Sequence, residues 1–210
     1  MNFQIMNSKK YFFLLLFYPT ICSASAISQL KYFIENTLSV SGKFKQSVIF
    51  DEDTNSKKIS FSSGKFIFER PGKFRWEYEK PQSQILISDG KKIYIYDKDL
   101  NQLNIKDISK NLEYTPVSIL FGNKNVEKNF RIYDLNKNQN IDWLEAYPKQ
   151  QESSFEKILI GFKNNQLSSM KLFDNFGQVT TLIFFDIKKN LKFNKTEFNF
   201  EIPKDTDIYR

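Results

Sequence analysis

ERPGKFRWEYEKPQSQILISDG, residues Glu69 to Gly90, strings together a proline-set turn, a sharply amphipathic strand and a second turn. After Arg70 and the Pro71-Gly72 pair, Phe74, Trp76 and Tyr78 alternate with Lys73, Arg75 and Glu77, so one face is aromatic and the other charged. Such a strand has water behind it and apolar matter in front. The functional question is whether the oily side meets only the protein's own core or also a ligand.

Working outward, the same period of two recurs along most of the chain. Before this stretch, Phe44, Gln46, Val48 and Phe50 alternate with Lys43, Lys45, Ser47 and Ile49, and Lys57 to Phe68 forms the next candidate strand. After it come Lys91 to Asp97, Gln102 to Ile105, Phe130 to Leu135, Asp142 to Tyr147, Lys157 to Phe162, Leu167 to Asp174, Val179 to Ile187 and Lys195 to Phe200. Turn chemistry separates them: Asp89-Gly90, Asn136 to Asn140, Asn164-Asn165, Asn175-Phe176-Gly177 and Lys188 to Asn190. The pattern predicts a mainly β protein, an antiparallel meander of roughly eleven strands. A sheet of that width curls into a barrel or half-barrel rather than lying flat.

Two segments depart from this rhythm. Ile27 to Leu38 places Ile27, Leu30, Ile34 and Leu38 on one helical face with no internal Gly or Pro, which predicts a short amphipathic helix. Between Asp107 and Phe130, Thr115 caps a turn begun by Pro116, the apolar residues Val117, Ile119, Leu120 and Phe121 follow, and Gly122 ends the run. A second turn is expected over Val126 to Phe130. An insertion with one oily face suits a lid over a barrel mouth, and periodicity alone is equally satisfied by a permanent plug.

Composition narrows the chemistry. Lys9-Lys10, the apolar run Tyr11 to Tyr18 and the Ser23-Ala24-Ser25-Ala26 site read as a secretory signal peptide over residues 1–26, cleaved after Ala26, with a run too short to span a bilayer. A single domain over residues 27–210 is expected to follow. Cys22 is preceded by the bulky Ile21, which argues against lipid modification and leaves the mature chain without cysteine, as suits an oxidising compartment. The chain has no histidine, so no Ser-His-Asp machinery, imidazole base or His/Cys zinc site can be built. A carboxylate-pair hydrolase is the enzyme class that survives, and no acidic pair stands out on an apolar strand face. No cofactor or metal is expected. Without Lys9 and Lys10, 29 basic residues face 24 acidic ones, a balance of +5, but the lysines are scattered among asparagines without a stripe. That distribution speaks for a solvated surface and against nucleic acid, which wants clustered charge.

An ordered set of motifs now gathers: Gly42-Lys43-Phe44-Lys45-Gln46 as G-x-F-x-Q, RPGKFRW at Arg70 to Trp76, Pro81, the SDG of Ser88 to Gly90, Tyr94 and Tyr96 followed by Asp97, the TP start at Thr115 and F-x-F-x-x-P at Phe198 to Pro203. In this order and after a cleaved signal, the chain resembles the outer-membrane lipoprotein carrier family, the periplasmic LolA chaperones, over essentially all of Ile27 to Arg210. The resemblance implies an unclosed antiparallel β-barrel, or half-barrel, with an N-terminal helix and a short helical lid. It implies a monomer that takes the acyl chains of lipoproteins from an inner-membrane ABC transporter and passes them to an outer-membrane receptor.

The energetics agree with such a task. At about 0.8 kcal/mol per buried methylene, one long acyl chain represents on the order of 10 kcal/mol of exposure, so a soluble carrier needs a dry groove. The 22 phenylalanines offer a lining. By resemblance, Arg70 is the latch that hydrogen-bonds lid main chain in the empty state, where the bare sequence would suggest a surface ion pair. Phe74, Trp76 and Tyr78 are groove wall or ordinary core, and Val117, Ile119, Leu120 and Phe121 are lid. Departures exist: the lid is short, Lys124 to Lys128 and Asn136 to Asn140 match no motif, and the brief tail from Lys204 suggests that any extra C-terminal strand is missing. A lipid-sensing or envelope-regulatory domain of the same fold is the alternative function, since fold does not dictate function.

Overall fold

The alternation of apolar and polar residues produces, in the computed structural model, one sheet of twelve strands; the structure describes residues 25–51, 57–108, 119–120, 126–150 and 153–209. The strands are β1 (Ser39–Asp51), β2 (Lys57–Glu69), β3 (Lys73–Lys80), β4 (Gln84–Asp89), β5 (Lys92–Asp97), β6 (Gln102–Asp107), β7 (Phe130–Asp134), β8 (Asp142–Pro148), β9 (Phe155–Lys163), β10 (Gln166–Asp174), β11 (Val179–Lys189) and β12 (Asp207–Tyr209). Their order is β12-β6-β5-β4-β3-β2-β1-β11-β10-β9-β8-β7. The two edges, β12 and β7, do not pair, so the barrel is unclosed. Because β6 lies near one edge and β7 is the other, the segment joining them, which holds the expected lid, must pass from one side of the sheet to the other.

The first helix, α1 (Ala26–Asn36), begins one residue earlier than its apolar pattern suggests because Ser25 caps it, accepting from the Ser28 amide at 3.2 Å. It buries Leu30, Phe33 and Ile34 against β7 to β10. Leu38, expected on the same face, lies beyond the helix end and is exposed; Phe33 takes its place, edge-on to Phe68 and tilted against Phe162 at 6.4 and 6.2 Å. Gln29 fastens the helix to the sheet, donating to Asp142 Oδ2 at 2.9 Å and accepting from the Asn165 amide at 3.0 Å.

Along β3 the facing strands confirm the two-faced pattern. Phe74, Trp76 and Tyr78 share a face with Phe66, Phe68 and Phe44 of the neighbouring strands, inside the main apolar cluster. Small residues make room for these rings: Gly42 faces Phe66 and Gly64 faces Phe44 across the β1–β2 ladder. A Cβ on Gly64 would lie 1.8 Å from the Glu77 carbonyl oxygen, so only glycine fits there.

Two expectations fail at the C-terminus. Lys195 to Phe200 reads as a strand, but Lys195–Phe198 is a 3-10 turn. Asn194 caps it, its side chain accepting from the Thr196 amide while its own amide donates to Glu197 at 3.1 Å. The brief tail also supplies a strand after all, β12, parallel to β6 and guided there by Asn101, whose side chain donates to the Asp205 carbonyl at 2.7 Å. The turn has its own apolar job. Ile85 and Ile87 oppose Glu77 and Arg75, which places them on the charged, convex side of the sheet, and there they are buried together with Tyr96, Leu103 and Phe198 outside the main cluster. Phe200 joins them against the Tyr96 ring at 5.3 Å. Strands β4 to β6 are thus covered from behind by the closing segment. Phe198→Ala should therefore lower the stability of the whole chain by about 3–5 kcal/mol, read as a shift in the urea-denaturation midpoint.

Candidate functional site

Arg70 follows directly on β2 and sits where three parts of the chain meet. Its amide donates to the Leu38 carbonyl at 2.8 Å, its Nε donates to the Thr37 carbonyl at 2.9 Å, and its Nη2 makes a short hydrogen bond to the Leu120 carbonyl. The guanidinium also lies over the Phe68 ring, 5.7 Å from its centre. Thr37 is the C-cap of α1, whose last carbonyls lack helical partners; Asn190 serves Asn36 in the same way, donating to its carbonyl at 2.9 Å. A cation at a helix C-terminus also suits the helix dipole. Burial pushes the Arg70 pKa down to about 10, still far above neutral pH, so the fork remains charged.

Leu120, with Ile119, is helical and buried. Val117 and Phe121, the other expected lid residues, lie outside the described residues, as do Thr115, Pro116 and the apolar run from Tyr11 to Tyr18. Further along the same insertion, α2 (Val126–Asn129) forms the second turn at the expected place. Lys31 of α1 pairs with Glu127 of α2 at 2.8 Å.

Beneath Leu120 lies an apolar cavity of about 240 Å³, lined by Gln46, Phe74, Trp76, Tyr78, Leu86, Leu120, Phe155, Met170, Leu172, Leu182 and Phe184. The expected wall residues Phe74, Trp76 and Tyr78 and the lid residue Leu120 thus border one space, while Ile119 packs in the main core. Trp76 stacks on Phe44 at 4.2 Å and on Phe66 at 5.2 Å. Within this lining, Tyr78 donates to Gln46 Oε1 at 3.1 Å. Among the described residues, none that borders the cavity is charged.

Sequence reasoning missed the wall opposite β3. Met170 and Leu172 of β10 and Leu182 and Phe184 of β11 complete the cavity, and Met170 stands opposite Leu182 in the ladder. Their spacing of two was visible, but the same spacing marks every strand of the sheet. A larger cavity, about 810 Å³, opens on the convex side among Lys43, Lys65, Arg75, Glu77, Asp186 and Glu197. Several of its charges are paired, Lys65 to Glu77 at 3.1 Å and Lys43 to Asp186 at 2.9 Å, and a lining this charged suits an apolar ligand less well. The smaller, uncharged cavity fits the aromatic face of β3.

At 240 Å³ the apolar cavity falls below the roughly 300–1,000 Å³ of ordinary ligand pockets.

The family model described as "Outer membrane lipoprotein carrier protein LolA" matches residues 35–201. A protein of Cupriavidus pinatubonensis named outer-membrane lipoprotein carrier protein is 40% identical over 187 residues, covering 89% of this chain and 88% of that one. One of the same name from Nitrosospira multiformis is 40% identical over 199 residues and covers 94% of each. Among solved structures, an uncharacterized conserved protein from Thermus thermophilus superposes with a TM-score of 0.54 at 13% identity, covering 89% of this chain and 99% of that one; this similarity concerns the fold.

The two-carbonyl geometry of Arg70 leads to a specific expectation. Arg70→Lys keeps the charge but loses the planar fork, so it cannot serve Thr37 and Leu120 together. Hydrogen exchange around Ile119 and Leu120 should accelerate about tenfold, the loss expected for one charge-assisted hydrogen bond, as followed by peptide-level mass spectrometry.

Proposed function

The chain belongs to the outer-membrane lipoprotein carrier family, LolA, and from that membership we propose that it works in the periplasm as a monomeric chaperone that shields the acyl chains of lipoproteins. It would accept them from an inner-membrane ABC transporter and give them up to an outer-membrane receptor, without chemistry on its cargo. The observation that carries this reading is the uncharged cavity of Phe74, Trp76 and Tyr78 bordered by Leu120, whose carbonyl Arg70 holds. An acyl chain has only hydrophobic burial to offer, about 0.8 kcal/mol per methylene, and such a cavity provides it. The relatives at 40% identity are named carriers, which favours a carrier over a lipid-sensing domain.

In this reading Arg70 is the latch of a two-state lid. The closed state has its fork on Leu120; the loaded state has the cavity filled and that bond broken, and the ligand shifts the balance by its differential affinity. Arg70→Leu should still bind lipoprotein, yet release it to the receptor about tenfold more slowly because the drive to reclose is gone. Purified variant, lipoprotein and receptor-bearing membranes suffice to time the transfer, and a wild-type rate would remove the latch.

Signal cleavage after Ala26 would remove the Ser25 cap of α1, but one contact offers the new terminus a partner. The Ile27 nitrogen donates to Asp134 Oδ1 at 2.9 Å, so cleavage there would place a new ammonium beside a carboxylate that offsets its poor fit with the helix dipole. N-terminal sequencing of the exported protein should read Ile-Ser-Gln-Leu.

A further inference from the structure

Trp76 carries an anomaly that hydrophobic burial does not explain. Its ring is stacked against Phe44 and Phe66, yet its indole Nε1 is buried with no hydrogen-bond partner among the described residues. The Tyr78 hydroxyl lies close to it, but without the geometry of a hydrogen bond. Buried indole N–H groups are normally satisfied, and a phenylalanine would have supplied the same stacking without the unmet donor.

The surroundings say what kind of acceptor it suits. Tyr78 is already engaged, donating to Gln46, and burial raises the pKa of its phenol, so the hydroxyl stays neutral. None of the described residues bordering the cavity is charged. A carboxylate or phosphate brought here would lose its water with no cation among them to replace it. A neutral carbonyl loses little and gains one good hydrogen bond, and an acyl chain attached to a glyceride carries such a carbonyl at its head.

We propose that Trp76 Nε1 donates to the ester carbonyl of a glyceride-linked acyl chain, so that the cavity reads the ester group as well as the hydrocarbon. This rests on the carrier reading above and adds a polar register to it. The N–H is covered in this structure, so the side chains packed about it must shift for it to meet its acceptor. The acceptor then fixes how deep the chain sits: the carbonyl stops beside Trp76 of β3 and the methylenes run on over Met170, Leu172 and Leu182 of β10 and β11.

The test compares two synthetic lipopeptides of equal chain length, one with a diacylglyceryl diester and one with the dialkyl diether, which lacks the carbonyls. Binding is measured by displacement of a fluorescent alkyl probe from the full-length processed protein. The wild type should bind the diester about three- to tenfold more tightly than the diether, the range expected for one hydrogen bond. Trp76→Phe, which keeps an aromatic ring and removes the donor, should bind both with the affinity of the diether. Equal affinities in the wild type, a comparison that needs no variant to fold, overturn the proposal, as does a Trp76→Phe protein that retains the preference. If neither lipopeptide displaces the probe, the carrier reading falls too.

Discussion

An unclosed sheet with an apolar concave face must have that face covered by something other than its own strands. Everything else in this chain answers that requirement. The twelve strands curl but their edges, β12 and β7, never meet, so the concave aromatics would stand in water without a cap. Helix α1 covers β7 to β10 by burying Phe33 between Phe68 and Phe162. Ile119 and Leu120 pack into the same apolar cluster. Arg70 sits at the seam between the two covers, with one nitrogen on the end of α1 and another on Leu120. A lysine offers a point charge and a serine one donor; only the guanidinium fork spans two carbonyls from one side chain.

The convex side obeys a different rule. Behind β1, β2 and β3 it is charged and wet, with Lys65, Arg75 and Glu77 in contact. Behind β4 to β6 it is a second core, roofed by Phe198 and Phe200. This explains why β4 reads ILIS without clean alternation: Leu86 looks to the cavity while Ile85 and Ile87 look to the roof. The closing segment therefore covers β4 to β6 from behind and carries the chain to the β12 edge.

These features also mark how far the sequence was legible. Alternation found the strands because a half-buried antiparallel strand must alternate, and the aromatic face of β3 found the cavity wall because no other strand sets three aromatics in a row against three charges. It misjudged Phe198 and Phe200. Two phenylalanines at spacing two are as consistent with a segment lying across a sheet as with a strand inside it, and the Asn194 cap, readable only beside Thr196 and Glu197, decides for the turn. It missed Met170, Leu172, Leu182 and Phe184 because which strands face one another across a curled sheet is set by the β1–β11 pairing, a contact between distant parts of the chain. The Trp76 donor was invisible as well, since an unmet hydrogen bond exists only in three dimensions.

If the lid opens as proposed, the closed state carries two polar burdens beside its apolar cavity. The Arg70 charge is partly stripped of water, as its pKa of about 10 records, and the Trp76 N–H is unpaired among the described residues. Both raise the closed state relative to an open one in which water or ligand reaches these groups. In the proposed two-state reading the Arg70 hydrogen bonds oppose them, which would bring the two states toward balance. Moving a two-state equilibrium from 1:99 to 99:1 takes about 5.5 kcal/mol of differential binding. Burial of one long acyl chain represents on the order of 10 kcal/mol, enough to open such a lid with a margin to spare. A tighter latch would consume that margin and leave the cargo outside, whereas no latch would leave the apolar wall wet when empty and the cargo held too well when full. Near-balance between these failures is what a carrier, which must both take and give, requires of its closed state.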